Sequence, residues 1–364
     1  MFDNDKIDTH QFTLLVILFV VGDALLYVPS WLASSAKQDA WLAAAVGCIE
    51  GLAIAWLYTT LAKRHFPATL IDLCRSVLGR WAGTAAACSF VSFILVDVSL
   101  MLYEIGDFIT TQMMPETPIE VVILLFTGVI VLGVRHGAVT LVRSSELVFP
   151  SFVLLYLMLI LFISPQIKLE HAQPVLGKGL KPIMEGNLRF FGNLEESVIL
   201  LMLFPLVRNP GKGAKAFATG LVVGTIVLTV FSTVSILVMG SDMTALLAYP
   251  SYVLAQKVAV GKFFERIEAI MAFLWFITVF VKISVCYYAA SYGIAQIVKL
   301  PRFRPVTLPL AMILMVLALV FVPNRPYFDL FATKIWTPYT LTFGLFLPLL
   351  MLGAAWLRRS PGKR

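Results

Sequence analysis

The chain has 364 residues, of which 59% are hydrophobic and only 13% charged, with a mean hydropathy of +0.89. A soluble globular domain does not carry that balance, so the sequence predicts a polytopic membrane protein. The net charge of +7 would point to nucleic acid in a soluble protein. Here, however, Lys and Arg collect in short segments between apolar runs, which reads as membrane topology and leaves no nucleic-acid partner.

The opening MFDNDKIDTHQF is acidic and polar, without the basic n-region and small-residue cleavage site of a signal peptide, so the first apolar run is expected to be retained. Runs of the roughly 20 residues needed to cross hydrocarbon fall at 11–35, 41–62, 84–112, 118–134, 146–164, 187–207, 214–239, 267–295, 305–322 and 335–357. The expected fold is an all-α membrane protein of ten transmembrane helices, a single permease-like domain over 1–364. With the N-terminus inside, cytoplasmic segments hold 17 Lys and Arg and external segments 10, which puts both termini in the cytoplasm. Two external stretches are long. Residues 165–186 are rich in Pro, Gly and Lys and read as irregular, and 246–266 reads as a short amphipathic surface helix.

Span 1 contains VVGDALLYVP, with Gly22, Asp23 and Ala24 at the centre of an apolar run and Pro29 beyond them. An interrupted membrane helix exposes backbone groups at a cost of several kcal/mol each unless protein or a cavity satisfies them, so the break is expected to line a site. Span 6 carries a matching irregularity, RFFGNLEESVILLMLFP, with Gly192, Asn193, Glu195 and Glu196. Paired breaks opening two five-helix halves are the mark of an inverted-repeat transporter with a midplane site; the repeats are expected at about 11–164 and 187–357. Asp23 could instead cap a kink, and Gly22 could serve close helix packing. Glu195 and Glu196 are about 100° apart on a helix, so one at most faces a given ligand.

Other charges inside spans are costly and are expected to face protein or water. In span 3, Asp97, Glu104 and Asp107 share one helix face, either as a cation-attracting vestibule or as partners for a base such as Lys282 in span 8. Lys282 needs a partner, and the expected ones are the span 1 break, Asp23 or a span 3 carboxylate. Glu50 lies in span 2. The four histidines fall outside the spans, and Cys48, Cys74, Cys88 and Cys286 show no metal-ligand spacing and read as packing residues. No nucleotide-binding or hydrolase motif is present, so no catalytic residue, cofactor or metal is expected and the protein reads as a non-enzyme.

QFTLLVILFVVGDALLYVP, KQDAWLA, RHFPATLIDLCRSVLGR, GNLEESVILLMLFPLV and ERIEAIMAFLWFITVFVK occur in this order along the chain. Together they resemble the B subunit of the GerA-type spore nutrient germinant receptors, the endospore germination permeases, nearly end to end. That family is similar to the amino acid–polyamine–organocation transporters, which implies a LeuT-like 5+5 inverted repeat with helices 1 and 6 broken. The resemblance also implies a sensor of a small nutrient, most often an amino acid, in the spore inner membrane, working beside an A subunit and a lipoprotein C subunit. A secondary amino acid transporter coupled to protons or sodium would need the same site. The pocket is expected between the two breaks, near Val21–Leu25 and Phe191–Ser197, with Lys282 standing where sodium-coupled relatives of that fold hold a cation.

Overall fold

The structure is a computed structural model that describes residues 6–257 and 267–357. Span 1 begins at a capping box in which the Asp8 side chain accepts from the His10 N–H at 3.2 Å and the Gln11 side chain accepts from the Asp8 N–H at 3.1 Å. It then runs as two helices, 1a (Thr9–Val21) and 1b (Ala24–Ala36). Spans 2 to 5 follow as Ala40–Arg64, Arg80–Phe108, Ile119–Arg135 and Ala138–Ile163, with a short amphipathic helix Leu70–Leu78 between the second and third. Span 6 starts as an α-helix, Lys181–Glu195, and tightens to a 3-10 helix over Glu196–Met202. Spans 7, 8 and 9 are Pro210–Met239, Ile267–Val298 and Arg304–Phe321, and span 10 covers Arg325–Leu357 with two wide π turns, Phe331–Ile335 and Thr342–Phe346.

Seven helical stretches among the described residues are long and apolar enough to cross a membrane unaided. The first of these, Ala24–Arg64, joins 1b to span 2. The remaining crossings are span 4, 17 residues long, and the two broken ones, spans 1 and 6, which completes the expected ten. Several boundaries differ from the sequence expectation. Span 10 starts ten residues earlier because Arg325, Asp329 and Lys334 depress local hydropathy, although Arg325 and Asp329 satisfy each other at 2.9 Å. The stretch 165–186 is not wholly irregular, since Lys181–Glu195 already belongs to span 6. The expected surface helix at 246–266 is instead the end of Ser241–Leu246 and a separate helix Pro250–Gln256; residues 258–266 lie outside the described ones.

Span 1a packs in the middle of the bundle, against spans 5, 7 and 8. Its contact with span 7 is close because Gly220 and Gly224 stand one turn apart: a Cβ added to Gly224 would lie 2.8 Å from Val20 Cβ, and one added to Gly220 would lie 2.5 Å from Val16 Cβ. Spans 3 and 8 pack on each other, and span 8 also packs on span 1a. The centre of the bundle is thus built around Gly22–Asp23.

Candidate functional site

Span 1a ends at Gly22, whose φ of +28° is left-handed backbone that favours glycine. A Cβ there would collide with Lys282 Cδ and sit 2.8 Å from the Phe19 carbonyl oxygen. The carbonyls freed by the break are taken up by span 8. Thr278 Oγ1 donates to the Gly22 carbonyl at 2.7 Å, and Trp275 Nε1 donates to the Asp23 carbonyl at 3.2 Å. The break therefore costs no unmade backbone acceptor at these positions.

Asp23 makes no side-chain cap on span 1b, so its carboxylate is free for other partners. Lys282 Nζ donates to Asp23 Oδ1 at 2.5 Å and to Glu196 Oε2, joining the two broken spans through one ammonium. Tyr27, one turn on from Asp23, donates its hydroxyl to Asp23 Oδ2 at 2.7 Å. Trp336, directly after the first π turn of span 10, donates Nε1 to Glu196 Oε1 at 2.7 Å. The ammonium also lies 5.6 Å from the centre of the Phe19 ring. Asp97 accepts a weak bond from the Cys286 thiol at 3.6 Å, and Glu104 is 2% exposed with Oε1 unpaired.

Asp23, Asp97, Glu104 and Glu196 line one cavity of about 20 Å³, walled by aromatic rings of which Trp31 and Trp336 are the largest. That is room for about one water. Contacts bridge the bundle towards each of its two faces. Towards the face away from the N-terminus, Asp107 Oδ2 accepts from Tyr249 at 2.6 Å and from Arg325 at 3.1 Å, and Arg325 stacks over Tyr249 and Phe328 at 4.7 and 5.0 Å. Towards the N-terminal face, Ile7 pairs with the segment after span 6: its N–H donates to the Leu206 carbonyl and its carbonyl accepts from Arg208 N–H, at 2.9 and 3.1 Å.

Of the residues singled out in the sequence, Asp23, Glu196, Lys282, Asp97 and Glu104 come together around this cavity. Asp107 belongs to the cluster with Tyr249 and Arg325. Gly22 and Ala24 form the turn itself. Gly192, Asn193 and Glu195 lie in the α-helical part of span 6 and do not line the cavity. Gly192 faces span 10, where an added Cβ would meet Thr340 Oγ1 at 3.1 Å. The side-chain polar atoms of Asn193 and both carboxyl oxygens of Glu195 are buried without a hydrogen bond, and the neighbouring Thr340 hydroxyl donates to the Thr337 carbonyl at 3.0 Å. Glu50, also apart from the cavity, accepts from Asn187 at 3.0 Å. Sequence reasoning missed Tyr27, Trp275, Thr278, Cys286 and Trp336. Helical spacing from the charged residues could have found four of them: Tyr27 is four residues from Asp23, and Trp275, Thr278 and Cys286 are seven, four and four from Lys282.

A family model described as spore germination protein matches residues 6–326. The chain belongs to that family. Spore germination protein KB of Bacillus subtilis (strain 168) is 23% identical over 98% of this chain and 97% of its own length. Among solved structures the family's fold is that of LeuT-like transporters. Mhp1, a nucleobase-cation-symport-1 family transporter solved closed around bromovinylhydantoin, superposes with a TM-score of 0.71 at 12% identity, covering 98% of this chain and 80% of that one. MhsT in complex with L-phenylalanine gives 0.65 at 14% identity, covering 95% and 97%. The family expected from the sequence is thus the one found, as is the helical fold with spans 1 and 6 broken.

Proposed function

We propose that this spore germination protein is the nutrient-binding subunit of a germinant receptor, and that the nutrient, an amino acid, binds in the cavity between the breaks of spans 1 and 6. The observation that carries this is Lys282 held between Asp23 and Glu196, one carboxylate from each broken span. A buried ion triad at that junction is costly unless it does something, and a ligand that engages either carboxylate would move both spans together. Lys282 supplies a fixed cation where sodium-coupled transporters of this fold use a free one, so ligand binding needs no sodium. The two halves, 11–164 and 187–357, act as the inverted repeats. Gly22, Ala24, Gly192, Asn193 and Glu195 support the broken spans from outside the cavity.

The reading extends to the setting. The protein sits in the spore inner membrane with both termini cytoplasmic, as the excess of Lys and Arg on that side supports, and works with A and C subunits through surface outside the cavity. It binds and signals rather than catalysing a reaction. The transporter fold of Mhp1 and MhsT supports a second reading, net uptake of the amino acid coupled to protons or sodium. Purified protein reconstituted in proteoliposomes and given radiolabelled amino acids tests the two. A receptor retains label at no more than binding stoichiometry. Accumulation of many ligands per protein would overturn the receptor reading in favour of the transporter.

A further inference from the structure

The hydrogen bonds around the cavity leave an imbalance. Lys282 is committed to Asp23 and Glu196, Tyr27 to Asp23, Trp336 to Glu196 and the Cys286 thiol to Asp97. Arg325, towards the face away from the N-terminus, is committed to Asp107, Tyr249 and Asp329. Every side-chain donor named here is engaged, whereas Glu104 Oε1 is an acceptor that is buried and empty-handed. Four carboxyl groups share the cavity with one ammonium. An unpaired buried acceptor is costly, and Glu104 lines the cavity.

From this imbalance we infer that the pocket recognises its ligand through an ammonium group, with Glu104 as the specificity-determining acceptor. The ligand class is amine-bearing, and a carboxylate without an amine is rejected. The inference rests on the reading of this pocket as the nutrient site. Three further features fit. A protonated amine is about the size of the one water for which the cavity has room. The aromatic walls, Tyr27, Trp31, Phe328 and Trp336, offer ring faces that favour a cation over an anion. Among the side-chain donors lining the cavity only the Trp31 indole N–H is uncommitted, and no cation is free for a ligand carboxylate, although backbone N–H groups at the start of span 1b leave room for the carboxylate of a zwitterion.

The test uses the full-length protein in detergent and reads binding by thermal shift and calorimetry. The probes are alkylammonium ions from methyl to butyl, the alkanoates of the same chain lengths, and the amino acids of matching size, each in choline and in sodium buffer. Alkylammonium ions and amino acids should bind and alkanoates should not. Glu104→Gln should weaken alkylammonium binding at least tenfold. Asp97→Asn, which leaves Glu104 in place, should retain more of that binding than Glu104→Gln does. Amino acids binding while alkanoates bind as tightly as alkylammonium ions, or Glu104→Gln binding ammonium unchanged, would overturn the inference and leave the nutrient site standing. So would sodium displacing the alkylammonium probes competitively, since Glu104 would then serve an inorganic cation. If no probe binds the parent protein, the nutrient-site reading itself falls and this one with it. Because the charge series is run on the parent, the test does not depend on the variants folding.

Discussion

Lys282 is one side chain on which two broken helices depend. Replacing it with Met leaves Asp23 and Glu196 buried without their cation, a loss expected to be roughly 3–5 kcal/mol where one partner of a buried pair is removed. Purified Lys282→Met should therefore melt well below the parent or fail to fold, and the triple variant Lys282→Met, Asp23→Asn, Glu196→Gln should recover part of the loss. Equal melting of single and triple variants would mean that the triad is not the source of the defect. Ligand affinity in the parent should be the same in sodium and choline buffers; a collapse in choline would remove Lys282 from the role of fixed cation. Gly22→Ala should lower the yield of monodisperse protein, because its Cβ would collide with Lys282 in a left-handed turn, whereas Gly128→Ala, with nothing within 4 Å, should be neutral. Charges in hydrocarbon must find partners, which is why Lys282 was legible in the sequence as needing one, with the span 1 break, Asp23 and a span 3 carboxylate such as Asp97 as alternatives. For the adjacent pair in span 6 the helical spacing said only that at most one faces a given ligand; Glu196 lines the cavity and Glu195 does not. Trp336 was not legible, since an aromatic side chain in an apolar span looks like packing until its N–H partner is known.

At the scale of elements, the sequence located the break in span 1 to the residue and that in span 6 only to the turn. Gly192 suggested the interruption, yet the helix stays α-helical through Glu195 and tightens only over Glu196–Met202. Gly192 serves contact with span 10 instead, and Pro205, which has no N–H to donate, lies in the separate 3-10 turn Phe204–Leu206 that follows. The π turns of span 10 were invisible to periodicity, which assumes a uniform helical repeat. The contact of span 7 with span 1a is also hidden in composition, because Gly in a membrane span has several uses. Gly224→Val should force the two spans apart, for its Cβ would already lie 2.8 Å from Val20 Cβ; overpacking of this kind costs about 1–3 kcal/mol. A melting temperature unchanged from the parent would show that span 7 yields without cost.

On the scale of the whole molecule, the bundle is bridged by Asp107, Tyr249 and Arg325 towards one face and by the Ile7 pairing towards the other. Entry of a nutrient into the cavity is expected to need one of these bridges to open. Arg325→Ala removes the guanidinium from the first, and a cysteine placed at Met101, on the cavity wall, in a background with the native cysteines replaced by serine, should then react several-fold faster with a membrane-impermeant thiol reagent. An unchanged rate would put the access route elsewhere. The central claim is that the nutrient occupies the space between the two broken spans. Thermal shift of the purified protein against the common L-amino acids, run side by side on the parent and on Ala332→Phe, which fills that space from span 10, tests it most directly. At least one amino acid should stabilise the parent and none should stabilise a folded Ala332→Phe protein; an undiminished shift in that variant would contradict the account.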